Sequence, residues 1–164
     1  MDQRPGPALA GSISTGTVEL VLLKPLTFMN NSGLAVAEAV HDYSVSLERV
    51  LVVVDDVALP LGALRMRPQG SDGGHNGLTS VIEHLGTTEF PRLRLGIAGA
   101  EIPGGAAMAG FVLSAFAPEE EDQARAMVAR AADACLVFAE RGVAEAMNRY
   151  NTAAPSTGPF APES

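Results

Sequence analysis

The feature that most constrains the fold is an apolar, β-branched run that ends in two carboxylates. Residues 49–54 read RVLVVV, and Asp55 and Asp56 follow directly. A continuous apolar run of this length is typical of a parallel strand that is covered on both faces. We therefore expect an interior strand of an α/β sheet. Because open α/β sheets bind their ligands at the carboxyl ends of the strands, the run predicts that Asp55 and Asp56 lie at a functional edge.

The other periodic stretches complete an α/β pattern. Further strands are expected at residues 18–23, 63–67 and 92–97, and helices at residues 32–43, 78–85 and 118–150 with a break at Gly142. The strand at residues 18–23 has little polar alternation and is expected to be buried on both faces. Only a short turn joins the strand at residues 63–67 to the one before it, which favours a mixed sheet. We predict a single α/β domain with a mixed, mostly parallel sheet flanked by helices.

Length and composition indicate one globular domain. The chain has 164 residues, of which 47% are hydrophobic and 18% charged. Both ends are rich in Pro, Gly and Ser, so we expect a poorly ordered lead-in at residues 1–17, a domain at residues 18–150 and a disordered tail at residues 151–164. The single cysteine, Cys135, excludes an internal disulfide framework. The sequence shows neither a membrane-length apolar run nor a signal-peptide pattern, which predicts a cytoplasmic protein without membrane contact.

The charge distribution bears on nucleic-acid binding. The net charge of −8 argues against a generally basic surface. Residues 60–98 nevertheless hold four arginines against three acids: Arg65, Arg67, Arg92 and Arg94. A local basic face around the glycine-rich residues 70–78 is compatible with this distribution. Strand alternation places Arg65 and Arg67 on one side of their strand.

A glycine-rich stretch before a helix forms a second candidate site. Residues 70–78 read GSDGGHNGL, so His75 and Asn76 stand where a loop enters the helix. Glycine allows positive φ and close approach of a ligand, and a helix N-terminus presents free N–H groups. The alternative interpretation is an ordinary loop in which Asn76 caps the helix.

Three polar clusters follow strands or precede helices: Phe28-Met29-Asn30, Asp55-Asp56 and His75-Asn76. A carboxylate such as Asp55 can orient and charge-stabilise a histidine, as in hydrolytic sites. Amides such as Asn30 and Asn76 can donate to an oxyanion, and Phe28 can stack on a base. Each residue alone also fits a cap, a turn or the core. Three clusters in one small chain favour a site.

Four motifs, taken in order, resemble bacterial peptidyl-tRNA hydrolase. They are KPLTFMNNSG, VVVDDVALPLG, GSDGGHNGL and FPRLRLGI, and the likeness covers roughly residues 18–150. The resemblance implies a monomeric, cytoplasmic α/β hydrolase that uses no metal and no cofactor. It also implies a reaction, hydrolysis of the ester between a peptide and the 3′ ribose of tRNA, which recycles tRNA from stalled translation. The implied partner is peptidyl-tRNA, gripped by its acceptor end and its peptide.

The resemblance also implies roles for individual residues. Three match positions that hold the tRNA end and the peptide: Phe28, Asn30 and Asn76. Asp55 matches the carboxylate that keeps the catalytic histidine basic. Met29 and His75 match positions that line the site. Arg67 and Arg94 match positions suited to phosphate contacts.

The start of the chain departs from the family pattern. The family opens with a strand, a glycine-asparagine-proline-glycine turn and a motif whose histidine is the general base, whereas residues 1–17 contain no histidine. The remaining histidines do not match that base: His41, His75 and His84. We therefore expect Asp55 to lack its imidazole partner, strand edges to be left unpaired, and hydrolysis to be slow or absent.

Three hypotheses follow. The leading one is a peptidyl-tRNA hydrolase that is either shortened or misassigned at its start codon. The second is a non-catalytic tRNA-binding or RNA-binding module of the same fold, which the lack of a matched base favours and the acidic charge opposes. The third is a small-molecule hydrolase with His75 as base and Asp55 as its orienting acid.

Overall fold

In the computed structural model of the protein, residues 8–151 are described. Within this range the chain forms five strands: β1 (Ala8–Ser14), β2 (Glu19–Pro25), β3 (Val52–Pro60), β4 (Leu64–Arg67) and β5 (Arg92–Ala98). The same range forms five α-helices: α1 (Ser32–Asp42), α2 (Asn76–Leu85), α3 (Ala107–Leu113), α4 (Glu121–Arg141) and α5 (Val143–Tyr150). The predicted α/β class is confirmed. None of these helices is long and apolar enough to cross a bilayer.

The larger sheet is built around β5. Its strand order is β3-β5-β4, with β3 parallel and β4 antiparallel to β5. The predicted mixed sheet is confirmed, but the expectation that it is mostly parallel is wrong. Among the described residues only β3 and β5 pair in parallel, whereas β4 and β5, and the separate pair of β1 and β2, are antiparallel.

The position predicted for the apolar run is wrong. β3 begins at Val52, continues through Asp55 and Asp56 to Pro60, and lies at the edge of the three-stranded sheet rather than inside it. One face of β3 packs on α2, where Val52 and Val54 contact the cluster of Leu78, Val81 and Phe90. The other face lines an open cleft, and Val53 there is 48% exposed. The sequence could not show this, because an apolar residue reads the same whether its side chain faces a cleft or packs against another helix or strand.

Helix α4 covers the opposite face of the sheet. Its buried residues recur every three or four positions: Ala124, Met127, Ala131, Ala134 and Phe138. They pack against Met66 and Leu93 of the sheet. The helix ends at Arg141, as predicted, and Gly142 adopts a φ of 89° before α5 begins. Its first turn carries Glu121 and Asp122, where acids complement the helix dipole.

The N-terminal hairpin differs from two predictions. Residues Ala8–Ser14 belong to the predicted lead-in but form β1, which pairs along its whole length with β2. The side chains of β2 are exposed or half-buried, not buried on both faces, because the hairpin pairs with no strand of the larger sheet in the described range. Residues 1–7 and 152–164 lie outside the described residues. Asn151, the first residue of the predicted tail, bonds both backbone groups of Met66 and so belongs to the domain.

Candidate active site

The three predicted polar clusters meet at the N-terminus of α2. Asp55 reaches it from β3, and His75 and Asn76 stand at the start of the helix. The short 3₁₀ turn at Met29–Asn31 lies against the same helix. The fold therefore gathers side chains that are far apart in the sequence, on a strand, a turn and a helix end.

His75 joins α2 to β3 through both of its ring nitrogens. Its Nδ1 accepts the N–H of Leu78 at 3.2 Å, which caps the helix. Its Nε2 lies 3.1 Å from Oδ1 of Asp55. Because Nδ1 acts as an acceptor, the proton of the neutral ring is on Nε2 and is donated to Asp55. His75 is thus the cap that we predicted for Asn76, and Asp55 has the imidazole partner that we expected it to lack.

The carboxylate of Asp55 is held in its ionised form. The hydrogen bond with His75 is the largest cause that lowers the pKa of Asp55 below its ordinary value, and burial acts in the opposite direction. Electrostatic attraction to the His75 side chain and the N–H of Asp55 itself lower this pKa further. The two side chains are only 13% and 29% exposed, for His75 and Asp55 respectively. An ionised acid that orients an imidazole is the arrangement found in many hydrolytic sites.

The glycine-rich loop is closed by a local hydrogen-bond network. Gly73 and Gly74 have φ values of 59° and 81°, a conformation that favours glycine. Asp72 accepts the N–H of Gly74 at 2.8 Å and the hydroxyl of Thr79 at 3.0 Å. These two bonds, in that order, lower the pKa of Asp72 below its ordinary value. The loop therefore delivers His75 and the first turn of α2 in a fixed orientation.

The turn at Met29–Asn31 lies over the start of α2. A Cβ at Gly77 would sit 2.6 Å from the sulfur of Met29, so this glycine is what allows the methionine to pack there. Phe28 is 85% exposed, which excludes the core interpretation of this residue. Asn30 and Asn76 are exposed, and within residues 8–151 neither side-chain amide has a hydrogen-bond partner. One ring and two amides are therefore available to a ligand.

Two arginines fasten the glycine-rich loop to β5. Arg92 is 1% exposed and its guanidinium donates to three carbonyl oxygens, those of Ser71, Thr88 and Phe90. Arg94 donates to the same Ser71 carbonyl at 3.0 Å and lies 3.5 Å from Asp56. Burial, and to a lesser extent the charge of Arg94, lowers the pKa of Arg92. The prediction that Arg92 contributes to a basic surface is wrong, because the glycine-rich loop covers its side chain.

Arg67 is the more accessible of the two residues predicted to contact phosphate. Leu64 and Met66 are buried and Arg65 and Arg67 are exposed, as the alternation of β4 predicts. Arg67 donates to the carbonyl of Met66 at 3.0 Å, at the rim of the sheet. Arg94 is only 14% exposed and is engaged with Asp56. The phosphate role stays a prediction for both residues, and Arg67 is the one whose side chain faces solvent.

The fold and this site together define an α/β protein of the hydrolase class, with an acid–imidazole pair and two amides at a helix N-terminus. No group of three or more His, Cys, Asp or Glu suited to a metal ion occurs in the part of the chain that is described. A family model described as Peptidyl-tRNA hydrolase matches residues 2–157. The chain belongs to this family, and the resemblance read from the motifs is confirmed.

Individual relatives agree with this assignment. A protein from Symbiobacterium thermophilum named peptidyl-tRNA hydrolase is 45% identical over 154 residues, which span 93% of this chain and 80% of the relative. One of the same name from Chlorobium chlorochromatii is 41% identical over 147 residues, 90% of this chain and 77% of the relative. The crystal structure of peptidyl-tRNA hydrolase from Acinetobacter baumannii superimposes with a TM-score of 0.82 at 28% identity, over 92% of this chain and 75% of that structure.

Proposed function

We propose that the chain binds peptidyl-tRNA by its acceptor end and hydrolyses the ester that joins the peptide to the 3′ ribose. The observation that carries this proposal is the meeting of Asp55, His75, Asn30 and Asn76 at one helix N-terminus in a member of this family. The reaction releases the peptide and returns the tRNA to translation. In this proposal the protein works as a monomer in the cytoplasm, where its substrate arises.

Substrate binding falls to the exposed groups around α2. The amides of Asn30 and Asn76 donate to the ester carbonyl and to the peptide backbone, and the free N–H groups of the first turn add to this polarisation. The ring of Phe28 offers a face on which the terminal base can stack. In this proposal Arg67 contacts a phosphate of the acceptor end, which its exposed side chain supports. These contacts are sufficient for binding without a general base.

Hydrolysis in addition needs a group that takes a proton from the attacking water. His75 is oriented by Asp55, but its remaining lone pair, on Nδ1, accepts the N–H of Leu78. To act as a base, His75 must release this N–H, and leaving a buried donor unpaired costs about 1–3 kcal/mol. General-base catalysis typically contributes about 10²–10⁴-fold. We therefore expect binding to be well supported and turnover to be slow when His75 is the only imidazole at Asp55.

The second candidate function is binding of tRNA without turnover. The occupied ring nitrogens of His75 favour it specifically. The net charge of −8 opposes strong non-specific binding, so such a module would depend on the contacts of the acceptor end. Both candidates use Phe28, Asn30 and Asn76 in the same way. They differ only in whether the ester is cleaved.

The test measures binding and release of a labelled N-acetylaminoacyl-tRNA in parallel. Phe28→Ala should weaken binding roughly 5- to 150-fold, because it removes one base stack worth about 1–3 kcal/mol. Leu113→Ala is a matched control, because Leu113 is equally exposed at 86% but has no assigned role. Asp55→Asn and Asn76→Ala should lower the rate at which the N-acetylamino acid is released from the tRNA. This loss of rate should be larger than the small change in their free energy of unfolding can explain.

The two functions separate in the same assay. Hydrolysis is supported if the protein releases the N-acetylamino acid faster than buffer alone does, and if the Asp55→Asn variant releases it more slowly than the wild type. Saturable binding of the tRNA with release at the buffer rate supports the binding module instead. Absence of saturable binding, or equal effects of Phe28→Ala and Leu113→Ala, would contradict both.

A further inference from the structure

Helix α1 begins without a side-chain cap of its own. Asn31, the residue that precedes it, makes no side-chain hydrogen bond to the first turn. The acceptor comes from another helix, because the N–H of Gly33 donates to the hydroxyl oxygen of Ser80 at 3.0 Å. Ser80 lies 47 positions further along the chain, in the middle of α2, and is 1% exposed. A buried N–H in the first turn of a helix needs such a partner.

The Met29–Asn31 turn leads directly into α1 and is tied to it. The hydroxyl of Ser32, the first residue of α1, donates to the carbonyl of Met29 at 2.8 Å. The N–H of Asn31 donates to the carbonyl of Phe28 at 2.9 Å. Because the Phe28 ring is 85% exposed, few packing contacts hold it. Its place therefore depends on the backbone of this turn and on the start of α1.

The turn and α1 meet α2 at two points on one face of that helix. Met29 packs its sulfur on Gly77, and Gly33 bonds to Ser80. Gly77 and Ser80 are three positions apart, a spacing that puts them on the same side of a helix. The two contacts lie on either side of Asn30 in the sequence. Together they fix the backbone of Asn30 relative to the N-terminus of α2.

We propose that Ser80 is a positioning residue for substrate binding. By capping α1 from the neighbouring helix, its hydroxyl holds Phe28 and Asn30 where the tRNA end meets Asn76. This role rests on the proposed function, and Ser80 acts through the turn rather than by contact with the substrate. Groups that are ordered before binding lose less freedom when the ligand arrives, which raises affinity. Removal of the buried hydroxyl should therefore weaken binding at exposed residues that remain unaltered.

The first test follows the turn without any ligand. The chain has no tryptophan, so Phe28→Trp adds a fluorescent side chain that reports on this turn alone. In that background, Ser80→Ala should lower the fluorescence anisotropy, because the turn becomes more mobile. In the chain that retains Phe28, Ser80→Ala should move the amide proton signal of Gly33 upfield, as expected for a donor that loses its acceptor. Ser80→Cys keeps a side chain of similar size but offers only a weak acceptor, so it should act in the same direction.

Asn151→Ala is the matched control. It also removes a side-chain acceptor from a backbone N–H, that of Met66, but this bond is on β4 and outside the contact between α1 and α2. Both variants should lose a similar amount of stability. Only Ser80→Ala should change the anisotropy and the Gly33 signal, because only this variant releases the start of α1.

The second test measures saturable binding of a labelled N-acetylaminoacyl-tRNA to chains that retain Phe28. Ser80→Ala should weaken binding at least fivefold and Asn151→Ala less than twofold, at a temperature well below the Tm of either variant. A general loss of stability cannot produce this difference, since both variants are folded in the assay.

Two results would overturn the positioning role. One is an anisotropy and a Gly33 signal that Ser80→Ala leaves unchanged, which would mean that the hydroxyl does not hold the turn. The other is a more mobile turn with unchanged affinity for the tRNA, which would mean that binding does not depend on the order of the turn. The proposed function fails in a different way, by an absence of saturable binding in the wild type, and the ligand-free test still decides whether Ser80 holds the turn.

Discussion

Within residues 8–151, two Asp–His pairs lie in contrasting surroundings, and replacing each aspartate should have different consequences. Asp55→Asn should lower the free energy of unfolding by about 1 kcal/mol at pH 7. The hydrogen bond from His75 to the Asp55 carboxylate is 3.1 Å long and partly buried, and bonds to charged groups contribute about 1.5–3 kcal/mol. An asparagine carbonyl still accepts the Nε2 proton, so about half of that value is lost. Asp55→Ala removes the acceptor as well and should cost about 2 kcal/mol.

Asp42→Asn is the matched control. Asp42 lies 3.3 Å from His41 in an i,i+1 pair at the end of α1, where the His41 side chain is 90% exposed. Exposed ion pairs contribute little, because water and salt screen them. We expect no measurable change for Asp42→Asn.

The assay is urea unfolding at several pH values. The folded-state pKa of Asp55 is lowered, so the stabilisation is present above the unfolded pKa of about 3.9 and is lost as the pH falls through the folded value. The difference between the wild type and Asp55→Asn should therefore be full at pH 6–7 and should shrink as the pH falls below the unfolded value and through the lowered folded pKa of Asp55. Equal stabilities at pH 7, or a difference that does not depend on pH, would refute the reasoning.

Three further changes test packing and edge contacts. Gly33→Ala should lower stability by roughly 1–3 kcal/mol in urea unfolding, because the added Cβ would fall on the carbonyl of Ser80, and an unchanged midpoint would disprove this close approach. Cys135 should react slowly with a thiol reagent until the protein is unfolded, because burial raises the pKa of its thiol; rapid labelling of the native protein would argue against this environment. Asn151→Ala should cost about 1–3 kcal/mol, because it leaves the backbone N–H of Met66 unpaired and removes one of the two donors to its carbonyl, and a stability equal to that of the wild type would show that water replaces the amide.

The types of the secondary-structure elements were predictable, but the position of strands in the sheet was not. The spacing of apolar residues in α4 and the glycine at position 142 are local signals, and the predicted end of that helix is confirmed at Arg141. The edge position of β3 depends on which strands are present beside it, and its own residues do not encode that. β1 reads ALAGSIS, which has weak strand propensity, and it forms because β2 pairs with it along seven residues.

The site was predictable in its location and less so in its contacts. Motif resemblance selected Asp55, Asn30 and Asn76, and the fold brings their elements together. The pairing of His75 with Asp55 joins residues 20 positions apart and depends on the packing of α2 against β3. The cap differs from the prediction by one residue, because His75 is extended, with φ −82° and ψ 115°, and the helix begins at Asn76.

The two arginines that hold the Ser71 carbonyl have a consequence for folding. Arg92 is buried under the glycine-rich loop and is satisfied by carbonyl oxygens on both sides of it, so the loop cannot leave β5 without exposing unpaired groups. The loop therefore belongs to the same cooperative unit as the centre of the sheet, although glycine-rich loops usually open independently. We therefore expect the helix cap at His75 to become ordered only together with β5. A local sequence signal thus depends on hydrogen bonds between residues that are 21 and 23 positions apart.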